Sequence, residues 1–336
     1  MRVIKKHAKT IGKILFVLIL ILIIIYTFKD SAGDILTQLK ETSFLVIAGI
    51  CIASVMYELV EGWISYSLAK VYNPDFKYWQ GVECAFYAAF YRVATLGSGA
   101  GVAAIYYFNE RVPYSKGTGL YTIEYMLHKV SIALFAGIFF ILNWGYMQKY
   151  YSQYDMTLLI GFGVTFVIAA VLLLFACSKK FHEVLLWIVR KLNRSGKLTE
   201  QVKKLEEQCA ILEDAAATLL KRGGLIAGCI LKNLLKFTFW YGIPFLILAE
   251  TGKLTLSQGL AVTSLAMMLA AVIPAPAGIG SSEFVLTMLL AKIVGTGAAG
   301  SVALLYRFAT FVLPFVIGAV VVVLWRRVHR STEKAA

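Results

Sequence analysis

The sequence predicts an all-α, polytopic membrane helical bundle, with about six full spans plus two re-entrant broken-helix hairpins in an inverted repeat. Three observations carry this. The 336 residues are 59% hydrophobic and 15% charged, with mean hydropathy +0.74, too apolar for a soluble globule. Apolar runs near twenty residues, the length that crosses a hydrocarbon core, recur along the chain. Two of the apolar segments are interrupted in their middles by glycine- or proline-rich stretches through which a helix does not continue.

The clearest interruption is Ile273-Pro274-Ala275-Pro276-Ala277-Gly278-Ile279-Gly280-Ser281-Ser282-Glu283. Proline has no N–H and clashes with the preceding turn, and glycine costs about 1 kcal/mol against alanine in a helix. Ser281 and Ser282 can cap a following helix, with Glu283 in its first turn where the dipole favours negative charge. Broken backbone at membrane depth is tolerated only where it is buried in protein or lines a wet cavity, as in transport sites.

In chain order, Arg2, Lys5, Lys6 and Lys9 precede, and Lys13 stands at the start of, a first span at residues 12–28, long enough to be retained and followed by no convincing cleavage site. The positive-inside rule puts this N-terminus in the cytoplasm. A second span, 44–69, returns to Lys70 and Lys77. Residues 80–108 then carry Thr95-Leu96-Gly97-Ser98-Gly99-Ala100-Gly101 at their centre. Each arm, at 1.5 Å per residue, reaches about 22 Å, short of a core of about 30 Å. Charge decides between one kinked span and a hairpin. If the segment crossed, the loop 178–222 with its ten Lys and Arg would lie outside; as a hairpin it leaves them in the cytoplasm. Spans at 119–142 and 157–177 follow. Within the loop, Leu198, Val202, Leu205, Cys209, Leu212, Ala216 and Leu219 mark an amphipathic helix that packs on the protein's own face, on lipid or on another subunit. Residues 181–192, with Trp187 and flanking lysines, read as an interfacial helix. A span at 223–249, a second hairpin at 257–294 and a last span at 301–325 complete the chain. The second hairpin enters from outside, because only then do Arg326, Arg327, Arg330 and Lys334 end in the cytoplasm. Both termini are thus cytoplasmic in a multi-pass protein of the cell membrane.

The whole chain forms one integral membrane domain, 1–336. Its residues 44–142 make a first unit (span, hairpin from inside, span) and residues 223–325 a second, upside down relative to it, with the amphipathic helices of 178–222 between them. In register, the break 94–101 lies against 273–280 and shares the final Gly-x-Gly. Paired broken helices in inverted repeats are a way to build a midplane transport site. The net charge of +14 records Lys and Arg held against anionic lipid rather than nucleic-acid binding. Cys51, Cys84, Cys177, Cys209 and Cys229 are odd in number and scattered, supporting neither a disulfide framework nor a zinc site.

These residues carry a resemblance. The run Pro-x-Pro-Ala-Gly-Ile-Gly-Ser-Ser-Glu at 274–283, with Leu304-Leu305-Tyr306-Arg307-Phe308 and Leu313-Pro314-Phe315-Val316-Ile317-Gly318 after it, resembles the membrane region of the lysylphosphatidylglycerol synthase family, including its flippase-like stand-alone members. Ala277 stands where the family pattern has the first glycine of a pair. The resemblance implies movement of aminoacylated phosphatidylglycerol to the outer leaflet, with lysine transferred from its tRNA by a separate cytosolic domain. The largest cytosolic piece here, 178–222, leaves no room for that domain.

Charged side chains within a bilayer are costly and default to functional candidates. They are Glu58 and Glu61 on one helical face, His128 and Lys129, Lys232 and Lys236 one turn apart, Arg307, and Glu83, Arg92 and Glu283 on the hairpins. The expected substrate site is a polar cleft between the breaks, formed by Gly99, Gly101, Pro276, Gly278 and Gly280. In it Arg92, Lys232, Lys236 and Arg307 hold a lipid phosphate while Glu58, Glu61 and Glu283 take a cationic headgroup. Internal salt bridges and snorkelling lysines are the structural alternative. No Ser-His-Asp order, metal-ligand spacing or phosphate loop occurs, so no catalytic residue, metal or cofactor is assigned.

Two functions compete: a flippase or transporter of (aminoacyl-)phospholipid such as lysylphosphatidylglycerol, or a phosphatidylglycerol lysyltransferase (or its membrane subunit) contributing to resistance to cationic antimicrobial peptides. The second needs a transferase encoded elsewhere. A channel fits the proline-glycine break only loosely. Membrane phospholipid is the expected partner, and a separate transferase and a homo-oligomer remain open.

Overall fold

A computed structural model describes residues 37, 39–152, 155–192, 199–273 and 275–335. The first span, the N-terminal basic segment and Pro274 lie outside these residues. Every regular element among those described is helical: α1 (Phe44–Ala69), α2 (Tyr78–Ala94), α3 (Ala100–Phe108), α4 (Tyr114–Leu142), α5 (Trp144–Tyr151), α6 (Asp155–Cys177), α7 (Lys179–Leu192), α8 (Thr199–Leu219), α9 (Gly223–Tyr241), α10 (Ile243–Leu248), α11 (Leu256–Ala270), α12 (Ser281–Val294), α13 (Thr296–Arg307) and α14 (Leu313–Ala335). Helices Phe44–Ala69, Tyr114–Leu142 and the continuous Thr296–Arg327 are long and apolar enough to cross a membrane. Apolar side chains such as Phe44, Leu45, Phe166 and Ile141 stand exposed around the bundle, as expected where the surroundings are lipid.

Both broken segments fold back on themselves. In the first, the Tyr107 hydroxyl donates to Glu83 Oε2 at 2.6 Å, tying α3 against α2. Asn73 Nδ2 donates to the Arg111 carbonyl at 3.0 Å and joins the two feet of the hairpin. In the second, Asn143 Nδ2 donates to Ser257 Oγ at 2.8 Å beside the start of α11, and the Tyr151 hydroxyl donates to the Leu289 carbonyl of α12 at 3.0 Å. Its feet therefore stand at the Leu142 end of α4, whereas those of the first hairpin stand at the Tyr114 end. The two tips meet between: a Cβ on Gly97 would lie 3.2 Å from Ala277 Cα.

Each tip holds a non-glycine residue in the left-handed region followed by a left-handed glycine: Leu96 (φ 52°) with Gly97 (φ 96°), and Ala277 (φ 53°) with Gly278 (φ 69°). This costs an L-residue steric energy and persists where the surroundings impose it. The backbone thus matches Leu96-Gly97 to Ala277-Gly278, two residues away from the register that shared Gly-x-Gly suggests.

Small residues bring the helices together. A Cβ on Gly62 would lie 2.5 Å from Val82 Cα, and one on Gly81 would run into the Gly62 carbonyl, so α1 and α2 cross at backbone contact. The amphipathic α8 packs on α4, with Cys209, Leu212, Ala215 and Leu219 buried and an ion pair from Asp214 to Lys116. Of the expected spans, 223–249 is divided: Gly242 and Pro244 separate α9 from α10, since Pro244 supplies no N–H. The short α5, which buries Met147 and Tyr151, has no counterpart in the sequence reading.

Candidate functional site

On α1, Tyr57, Glu58, Glu61 and Ser65 fall on one face by helical periodicity. They face α4, where Tyr121, Glu124, Tyr125 and His128 do the same. The hairpin α2–α3 closes the remaining side, and the space enclosed is a cavity of about 410 Å³ reaching from Cys84 to the tip residues Gly97 and Ser98. Gly101 belongs to its wall and lets the hairpin approach closely, because a Cβ there would lie 2.7 Å from the Tyr121 ring.

The cavity is acidic. Glu58 (3% exposed) and Glu124 (7%) are buried in its wall, and Glu61 opens onto it. Ser65 Oγ donates to Glu124 Oε1 at 2.6 Å. Glu58 has neither a hydrogen bond nor an ion pair among the described residues. Behind the wall, the fully buried Lys236 donates to Glu61 Oε2 at 2.5 Å and to His128 Nδ1 at 3.0 Å, so the ring nitrogen facing it is an acceptor. Its ammonium also lies 5.2 Å from the centre of the Tyr57 ring. Arg92 is the cation in the cavity wall, with Nε buried and unpartnered.

Arg92 is anchored by an unusual acceptor. A π-turn at Phe308–Val312 joins α13 to α14, and Pro314 follows. Pro314 supplies no N–H to the carbonyls of Ala309 and Thr310, five and four residues before it. Both bond across to other helices: Ser54 Oγ donates to the Ala309 carbonyl at 2.5 Å, and Arg92 Nη2 to that of Thr310 at 3.3 Å. The guanidinium also stands 5.3 Å from the Trp240 ring, which stacks on Tyr57 at 3.5 Å.

Of the residues expected to form the site, the structure brings together Glu58, Glu61, Arg92, Gly101 and, through Glu61, Lys236. Gly99 lies at the tip beside them, its N–H donating to Thr95 Oγ1 at 2.6 Å. Lys232 lies apart, donating to Ser67 Oγ at 2.6 Å and standing 4.7 Å from the Trp63 ring. Glu283 and Arg307 form a separate ion pair, Arg307 Nε standing 3.1 Å from Glu283 Oε1, with the guanidinium 3.6 Å from the Phe311 ring. The second oxygen of Glu283 accepts from the Gly280 N–H at 3.1 Å and so caps α12. Gly278 and Gly280 shape the second tip through positive φ (69° and 81°), and Pro276 belongs to its short 3₁₀ turn. Glu124 was missed. The available signal was its position four residues before His128, on the same face of a helix of spanning length.

The family model described as the lysylphosphatidylglycerol synthase TM region matches residues 11–318. The chain belongs to this family. The match takes in both hairpins and the cavity, so the lysylphosphatidylglycerol synthase transmembrane fold is the frame on which the acidic site is built. No curated protein and no solved structure matches the chain.

Proposed function

We propose that this protein carries phospholipid between the leaflets of its membrane, taking headgroups that combine a phosphate with an amine, aminoacylated phosphatidylglycerol such as lysylphosphatidylglycerol among them. One observation carries the reading: a cavity with three carboxylates and one arginine ends where two broken-helix tips touch. Arg92, the arginine in the cavity wall, is the phosphate contact. Glu58 and Glu124 receive the ammonium. Lys236 keeps Glu61 in place, and the Arg307–Glu283 pair holds the second tip. Residues 44–142 and 223–325 act as inverted units whose tips separate and rejoin as the site changes sides.

A lipid-related role agrees with the family. On this reading synthesis of the aminoacyl lipid falls to a separate transferase. The test is leaflet-resolved amine labelling of intact cells, with total aminoacyl lipid measured in parallel. Loss of outer-leaflet lipid at constant total is expected on deletion of the protein and in Arg92→Ala. A fall in total lipid would favour the synthase reading, and unchanged exposure on deletion would refute transport.

A further inference from the structure

The cavity's charge balance raises a second question, namely what fills it when no lipid is bound. Glu58, Glu61 and Glu124 bring three carboxylates, whereas Arg92 and Lys236 bring two cations, and His128 accepts from the Lys236 ammonium and adds none. One negative charge is left over in a site where Glu58 and Glu124 are almost wholly buried. An unmatched charge at such depth is strongly disfavoured, because the low-dielectric surroundings cannot replace its hydration. The groups facing Glu58 are Arg92 of α2, Lys236 of α9, and Tyr57 and Glu61 of its own helix, with His128 of α4 in the same wall. Glu124 is faced by Ser65 and Glu61 of α1, Cys84 of α2, Tyr121 of its own helix, and Lys236 and Cys229 of α9. The cations among these, Arg92 and Lys236, are already counted, and Lys129 of α4, next to His128, has its ammonium over the Tyr125 ring at 5.2 Å and is not part of the cavity lining. Among the described residues the acids are also not grouped to hold a metal ion.

We propose that the Glu58–Glu124 pair is balanced by one exchangeable positive charge, the net charge of a lysyl headgroup (two ammoniums against one phosphate) when lipid is bound and a proton when it is not. Each lipid carried in one direction then returns one proton in the other. The inference rests on the lipid-transport reading and adds its driving force. When the ammonium enters, the carboxyl O–H breaks and its proton leaves to water on that side. When the ammonium departs on the opposite side, the carboxylate takes a proton from hydronium there. The steps balance without nucleotide or redox partner. A singly cationic lipid exchanged for one proton moves no net charge.

The test uses the purified full chain in vesicles containing a trace of lysylphosphatidylglycerol with a fluorescent acyl chain, its leaflet ratio read by chemical quenching. One-for-one exchange predicts that a gradient of one pH unit shifts the steady-state ratio by about tenfold, because a pH unit and a tenfold ratio are the same free energy. Collapsing the membrane potential should leave that shift unchanged. Infrared titration of lipid-free protein gives an independent readout: a protonated-carboxyl band lost in Glu58→Gln or Glu124→Gln and kept in the exposed-site control Glu250→Gln. Lipid that redistributes while ignoring the pH gradient, or following a sodium gradient instead, overturns proton exchange and leaves transport standing. No redistribution at any pH defeats lipid transport and the exchange with it, and absence of a band dependent on either acid overturns the proton site by itself.

Discussion

Lys236 is completely buried and bound to Glu61 and His128, so replacing it with methionine keeps the bulk and removes the charge. Breaking a buried ion pair by taking one partner costs about 3–5 kcal/mol, because the remaining charge loses its compensation. Glu61 retains 25% exposure toward the cavity, which relieves part of that cost and points to the lower end, about 3 kcal/mol. Large domains shift by about 2 °C per kcal/mol, so Lys236→Met should unfold roughly 6 °C lower than the wild type. The double variant Glu61→Gln/Lys236→Met removes both charges and should recover to within about 1 kcal/mol, or roughly 2 °C. Thermal unfolding in a single detergent, followed by tryptophan fluorescence, measures both. A single variant within 2 °C of wild type, or a double variant no better than the single, would refute the view that Lys236 is held by compensation for Glu61.

Four further outcomes are expected. Cysteines at Gly97 and Ala277 in a Cys-less background should form a disulfide on mild oxidation and stop lipid exchange until reduced. Their Cβ atoms would lie 3.6 Å apart, within disulfide range, and failure to cross-link would mean that the tips do not meet. A polar thiol reagent should reach a cysteine at Ser98 from the cytoplasm and one at Ala275 from outside, and the reverse pattern would overturn the topology. Gly101→Leu should abolish exchange at normal protein amount, as its side chain would drive into the Tyr121 ring, so wild-type exchange would count against the cavity wall. Outside the membrane, the hydrogen bond from His182, with help from Lys179, lowers the Glu213 carboxyl below its usual range. A depressed carboxylate contributes stability above its unfolded value and loses it as pH falls through the folded one, so the α7–α8 contact should loosen only on acidification below the ordinary glutamate range. Hydrogen exchange of α7 against pH reads this, and Glu213→Gln should remove the dependence.

Much of the fold was legible because backbone chemistry writes it locally. Pro274, Pro276 and the paired glycines forbid a continuous helix, and each arm is too short to cross, so the hairpins follow from length and charge. The break at Gly242 and Pro244 uses the same signal but is a single one inside an apolar run of spanning length. Leu96 and Ala277 in left-handed conformation were beyond reach, since no propensity favours them and only contact between the tips imposes them. The site was half legible. Glu58 and Glu61 announce themselves by charge and spacing, but which cations meet them depends on how each helix is rotated about its axis. Lys232 and Lys236 lie one turn apart, yet one reaches Ser67 beside the exposed Trp63 and the other the core. Glu124 sits nearer the start of its span, where a carboxylate resembles an interfacial residue until α1 packs over it.

Pro314 has an effect at a distance from its own helix. By withholding an N–H it turns the Thr310 carbonyl into a fixed acceptor for Arg92. A peptide carbonyl does not titrate, so that anchor is the same at every physiological pH and under every occupancy of the site. Had a carboxylate held Arg92, each change of charge in the cavity would also have changed the grip on its arginine. With an amide oxygen in that place, the exchange proposed at Glu58 and Glu124 would leave the anchor of Arg92 unaltered.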